Sequence, residues 1–121
     1  MQPIKILKQG DLVKMNISEL AGYEQKKVRY SIVVSSGFID PSHQQFAVIV
    51  PISSEKYGYP FEVEVPSGIV MVNREELTGV ALTDQFGSLD LNALSAQIVG
   101  QVDIQSEFFN TIILNVRSTL Y

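Results

Sequence analysis

Apolar residues recur along this chain with two different periods, and the change from one to the other divides it. Up to about residue 102 they come in short runs bounded by Gly, Pro, Ser or Asp. Leu12 to Ile17, Val28 to Ser35 and Phe46 to Ile52 are rich in Val and Ile and read as strands. Phe61-Glu62-Val63-Glu64-Val65 alternates strictly, which places Phe61, Val63 and Val65 on a core face and both glutamates in water. Ile69 to Val72, Val80 to Thr83 and Ala96 to Val102 complete a series of about seven short strands, a spacing that predicts a small barrel or sandwich. From Asp103, read as an N-cap, the period lengthens. Ile104, Phe108, Phe109, Ile112, Ile113, Val116 and Leu120 fall three or four apart, which predicts an amphipathic helix packed across the strands, with part of its face available to a second copy.

Composition narrows the chemistry. The 121 residues suffice for a single core, and 45% apolar content is that of a chain that folds. There is no cysteine and one histidine, His43, so disulfide frameworks, thiolate zinc sites and cysteine nucleophiles are excluded. His43 sits in a polar turn and is read as a solvated loop residue. Glu75-Glu76 is likewise read as a solvated turn. No apolar run approaches the ~20 residues needed to span a bilayer, and the first residues lack the apolar stretch of a signal peptide. The expectation is a cytoplasmic protein without a membrane partner.

The net charge of -4 argues at first against nucleic acid, but the average hides an asymmetry. Residues 1–29 carry +3 and the remainder -7. An anion-binding surface is therefore expected near the segment Gly22-Tyr23-Glu24-Gln25-Lys26-Lys27-Val28-Arg29, which joins two strands. Arg29 enters an aliphatic strand, a rigid mount for a guanidinium fork suited to phosphate, or else for a surface ion pair with Glu24. Ser53 and Ser54 end another strand, where hydroxyls either donate to an oxyanion or serve as turn residues.

In order along the chain, Gly10-Asp11-Leu12, Gly22-Tyr23-Glu24-Gln25, Arg29, Val50-Pro51-Ile52-Ser53-Ser54, Gly58-Tyr59-Pro60-Phe61-Glu62-Val63 and Gly79-Val80-Ala81-Leu82-Thr83-Asp84-Gln85 resemble the MazF/PemK/Kid toxins of type II toxin–antitoxin systems. The resemblance implies a single, mainly β domain over residues 1–121, an SH3-like β-barrel of the CcdB/Kid/MazF kind with a C-terminal α-helix. It implies a homodimeric, sequence-specific endoribonuclease that cuts single-stranded mRNA without a metal or other cofactor, leaving 2',3'-cyclic phosphate and 5'-hydroxyl ends. It implies a cognate MazE-like antitoxin peptide as partner and, through it, operator DNA. Carried across by residue, the catalytic positions are Arg29, Ser53 and Glu24; Gln25, Lys26, Lys27, Asp84 and Gln85 are RNA-binding. Ser53 stands where the family usually has Thr, and the stretch after Gln85 lacks the basic residues common there. A weakly active module that mainly binds the antitoxin peptide is the alternative. A gyrase-directed role of the CcdB kind fits the Gly-x-Glu-Gln string and Arg29 less well.

Overall fold

The computed structural model describes residues 7–16, 28–35, 38–39, 46–68, 71–72, 75–90 and 96–120. Glu24, Gln25, Lys26, Lys27 and His43 lie outside them. In chain order the elements are β1 (Leu7–Lys8), β2 (Asp11–Asn16), β3 (Val28–Val33), β4 (Phe38–Ile39), β5 (Phe46–Ser53), β6 (Glu62–Glu64), β7 (Met71–Val72), β8 (Glu75–Glu76), β9 (Val80–Leu82), β10 (Gly87–Asp90), β11 (Gln97–Gln101) and α1 (Glu107–Thr119).

The three apolar runs of the first half become β2, β3 and β5, adjacent and antiparallel. Alternate residues of a strand face opposite ways. Leu12, Ile32, Val50 and Ile52 therefore enter one buried cluster, while Val13, Met15, Val33, Ala47 and Ile49 enter another with Leu7 and Ala96. Cover on both faces is why these strands read as continuous apolar runs instead of alternating.

The main sheet runs β11-β2-β3-β5-β9-β6, with β10 also paired to β5. β3 takes one edge of β5; on the other edge β10 pairs with Phe46 to Ile49 and β9 with Ile52 and Ser53. Among the described residues this path does not return on itself. The mainly β class holds, and the expected barrel is an open sheet whose outer strands, β11 and β6, are not hydrogen-bonded to each other. Gly10 pins one end of it. Its N–H donates to the Val33 carbonyl at 2.8 Å and its own carbonyl accepts from Val102 at 2.7 Å. Its φ is +94°, and a Cβ there would come within 2.7 Å of Val102 O and Ile104 Cγ2.

Two expectations are corrected in detail. The helix begins at Glu107 with Ser106 as N-cap, whose Oγ accepts from Phe109 N at 3.2 Å. Asp103 instead closes the preceding turn by accepting from Gln105 N at 2.9 Å, so Ile104 precedes the helix and is exposed. Phe108, Phe109, Ile112 and Val116 are the buried stripe, packed on the Leu12, Ile32, Val50 and Ile52 face; Leu120 is exposed beyond the last turn. Glu75 and Glu76, expected as a turn, are exposed but form β8, paired with β7.

Candidate functional site

Arg29 lies on β3 opposite Met15 of β2, and the next residue, Tyr30, pairs with Ile52 of β5. Continuing that antiparallel register by one residue puts Arg29 across from Ser53. Two residues distant in sequence thus stand at the same end of the sheet. Both are half-buried. They line a concavity of about 440 Å³ together with Tyr30, Ile52, Ser54, Glu55, Leu77 and Thr78. That volume is in the range that takes a small ligand or one nucleotide unit.

Each partner is held by backbone. β3 is flanked by β2 and β5, which removes the freedom a loop-borne arginine would keep. Ser53 is fixed from the other side, because it pairs with Val80 of β9. Gly79, just before β9, has φ +126°, and a Cβ at that position would overlap the Ser53 carbonyl oxygen and stand 3.0 Å from its carbon. The Gly79 carbonyl accepts from Val65 N at 2.9 Å. Ser53 Oγ accepts from Glu55 N at 3.1 Å, the short turn expected of a strand-end serine. Accepting with its oxygen leaves the hydroxyl hydrogen to be aimed elsewhere. The turn reading and the oxyanion-donor reading of Ser53 are thus compatible.

The hairpin after Ser54 forms the rim. Glu62 is half-buried, and its carboxylate accepts from Tyr57 N at 3.2 Å and from Gly58 N at 2.9 Å. Strict alternation placed Glu62 on the solvent side; there it folds over the exposed turn and accepts from its N–H groups. Glu64 is exposed as expected and meets Lys56 Nζ at 3.0 Å. The Tyr57 hydroxyl donates to the Glu55 carboxylate. That bond and the adjacent negative charge of Glu55 raise the Tyr57 pKa above its ordinary value.

Among the described lining residues Arg29 is the cation and Glu55 the anion. A guanidinium mounted on a central strand and a hydroxyl donor lining the same concavity are groups suited to holding an oxyanion, above all a phosphodiester. Among the described residues no three His, Cys, Asp or Glu side chains converge. Asp84 and Gln85 are exposed on a 3-10 turn after β9, beyond Thr83, and are not part of the concavity. Leu77, Thr78 and Glu55 were not singled out from the sequence. Leu77 and Thr78 arrive because β9 pairs with β5, a long-range event without local signature; Glu55 follows the Ser-Ser pair directly and adjacency to a candidate hydroxyl was the signal for it.

No described helix is long and apolar enough to cross a membrane. Residues 8–118 match the family described as PemK-like, MazF-like toxin of type II toxin-antitoxin system. The chain is 32% identical over 93 residues to the endoribonuclease toxin MazF of Escherichia coli (strain K12), covering 77% of each. It is also similar to a crystal structure of MazE-MazF from Deinococcus radiodurans, with a TM-score of 0.74 and 26% identity over 94% of this chain and 95% of that one. A crystal structure of MazF from the same organism gives a TM-score of 0.73 and 25% identity, covering 96% and 97%.

Proposed function

The chain belongs to the PemK-like, MazF-like toxins of type II toxin–antitoxin systems, and from that premise we propose that its endoribonuclease reaction takes place in the concavity shared by Arg29 and Ser53. One observation carries this reading: adjacent strands β3 and β5 bring a strand-borne arginine and a strand-end hydroxyl to the same 440 Å³ concavity.

The chemistry follows from the groups. The ribose 2'-oxygen of single-stranded RNA attacks the adjacent phosphorus, a 2'-O–P bond forms, and the P–O5' bond breaks in line. The products are a 2',3'-cyclic phosphate and a 5'-hydroxyl. The 2'-hydroxyl proton leaves to a base, and the departing 5'-oxygen takes up a proton. Negative charge grows on the non-bridging oxygens as the new bond forms, so donors fixed in advance stabilise that state more than the ground state. Arg29 is permanently protonated and acts as a two-pronged clamp, not as the base. Ser53 supplies an O–H donor. Glu24 is assigned as the base or as the residue that orients Arg29. No step of this sequence needs a metal ion.

Gln25, Lys26 and Lys27 are assigned to the RNA near the clamp, and Asp84 and Gln85 to bases farther along the strand. The partner is a MazE-like antitoxin, in keeping with the MazE-MazF complexes the chain resembles; operator DNA is reached through it. The toxin works in the cytoplasm as one unit, as a homodimer. The exposed Leu114 within α1 and Leu120 just beyond it are assigned as apolar surface offered to the second copy. A second reading, a module that mainly binds the antitoxin, draws on Glu55, a carboxylate placed where phosphate must approach.

End-group analysis tests the proposal. Mixed-sequence RNA incubated with nanomolar protein in EDTA is expected to yield cyclic-phosphate ends. Products with 3'-hydroxyl ends would contradict the mechanism, and no turnover above background would favour the antitoxin-binding reading.

A further inference from the structure

The concavity holds a carboxylate and a guanidinium together, and no step above uses the carboxylate. Glu55 and Arg29 both line it, as the anion and the cation among its described residues. Such groups sharing one cleft pair through two parallel N–H···O bonds, and a guanidinium so occupied is closed to phosphate. Yet Arg29 and Glu55 are not paired. Among the described residues the ion pair is Lys56 with Glu64, at 3.0 Å.

Glu55 is bound on its own hairpin instead. Its carboxylate accepts the Tyr57 hydroxyl, and its N–H donates to Ser53 Oγ at 3.1 Å. Tyr57 is braced in turn. Its N–H donates to both carboxylate oxygens of Glu62 at 3.2 Å, and its ring centroid lies 5.9 Å from that of Tyr59, whose ring stacks on Phe61 at 5.4 Å. A side chain held at its backbone and along its ring presents its hydroxyl in one place.

We propose that Tyr57 is a positioning residue for Arg29: its hydroxyl retains the Glu55 carboxylate on the hairpin, and without that bond Glu55 pairs with Arg29 and competes with the phosphodiester. This rests on the endoribonuclease reading of the concavity. It needs no contact between Tyr57 and RNA.

Three observations support this latch. Glu55 is exposed, so its side chain is positioned by hydrogen bonding rather than by packing. Lys56, the neighbouring cation, is engaged by Glu64, which leaves Arg29 as the cation of the concavity to which Glu55 can turn. The bond to Glu55 and the charge of Glu55 raise the Tyr57 pKa, which keeps the hydroxyl in its donating form well past neutral pH.

The test separates the hydroxyl from the ring, because Tyr57→Phe keeps the ring and loses the bond. Binding is measured with a mixed-sequence RNA in which every 2'-hydroxyl is methylated, so that it is held without being cut. Tyr57→Phe is expected to weaken binding about fivefold, the value of a hydrogen bond at an exposed site. In cleavage it should raise KM by a similar factor with kcat unchanged, because saturating RNA displaces Glu55 from Arg29. Glu55→Gln removes a charge opposed to phosphate and is expected to bind about threefold more tightly than wild type. On that background Tyr57→Phe should change affinity by no more than about twofold. In the protein without RNA, the Arg29 Nε–H resonance, identified among the three arginines by its loss in Arg29→Ala, should shift in Tyr57→Phe and return when Glu55→Gln is added.

Tyr57→Phe binding RNA as tightly as wild type would overturn the proposal. So would a loss that persists on the Glu55→Gln background, which would mean that the hydroxyl meets the RNA itself, or an Arg29 resonance that does not move. If the wild type cuts RNA in an Arg29-dependent way while Tyr57→Phe binds unchanged, only the latch fails; if the wild type neither binds nor cuts RNA, the reading beneath it fails as well.

Discussion

Gly79 lies directly against the carbonyl of Ser53, so close that there is no room for a methyl group between them. The contact fixes the backbone at the end of β5 that carries Ser53. Substitution by alanine meets two obstacles, the overlap and a φ of +126°. Gly79→Ala is expected to lose at least ~2 kcal/mol of stability and to lower kcat more than it raises KM. Gly68 provides the control. Its φ is +75° but nothing lies within 4 Å of a Cβ there, so Gly68→Ala should cost about 1 kcal/mol and leave cleavage unchanged. Equal kinetic effects of the two would show that Gly79 does not act through Ser53.

Ser53 lacks the methyl that would restrict its χ1. Ser53→Thr keeps the hydroxyl and narrows its rotamers, and should raise kcat about threefold, corresponding to part of the entropy of one side-chain torsion. Ser53→Ala should lower kcat by roughly a hundredfold, as expected for loss of one fixed donor to the developing oxyanion. Single-turnover cleavage of one RNA by the three proteins compares them directly.

The pH dependence of the rim follows from the Tyr57–Glu55 bond. Because the folded-state pKa of Tyr57 is raised, its contribution to stability is fully present below the ordinary tyrosine value, about pH 10. That contribution is lost as pH rises through the folded value. Ultraviolet titration of tyrosinate should show one tyrosine ionising late, and Glu55→Gln should bring it back towards the ordinary value. No change on that substitution would remove Glu55 as the cause.

The helix cap is testable on its own. Ser106→Ala removes the acceptor for Phe109 N and should cost about 1 kcal/mol in urea melts with unchanged m. Asp103→Ala, which loosens only the turn before the helix, should cost less. A larger loss at Asp103 would restore it as the cap.

Much of the fold was legible because β2, β3 and β5 are long apolar runs and because the helix carries Phe108, Phe109, Ile112 and Val116 on one stripe. Pairs of residues such as Leu7–Lys8 or Glu75–Glu76 have no periodicity to read, and Gly87–Asp90 is poor in strand-forming residues; Leu7–Lys8 and Gly87–Asp90 become strands through partners distant in the chain, and Glu75–Glu76 through the neighbouring Met71–Val72. Asp103 and Ser106 are both good cap residues, three apart, and local sequence does not decide between them. Arg29 and Ser53 were identifiable by residue type and family resemblance. Their meeting was not, since it depends on the β3–β5 register, and neither was the arrival of Thr78 and Leu77 through β9. Glu62 shows another limit: its strand alternation was legible, but its capping of the Tyr57–Gly58 turn was not, since that depends on how the hairpin folds back.

The proposed reaction has Arg29 and Ser53 acting on one phosphodiester. It is tested most directly by single-turnover cleavage of an RNA in EDTA by wild type, Arg29→Ala, Ser53→Ala and the double variant, all shown to be folded. A loss of roughly a hundredfold or more is expected for each single variant, with cyclic-phosphate ends on whatever product remains. The double variant should be near background. Wild-type rates surviving in both single variants would place the reaction elsewhere on the molecule.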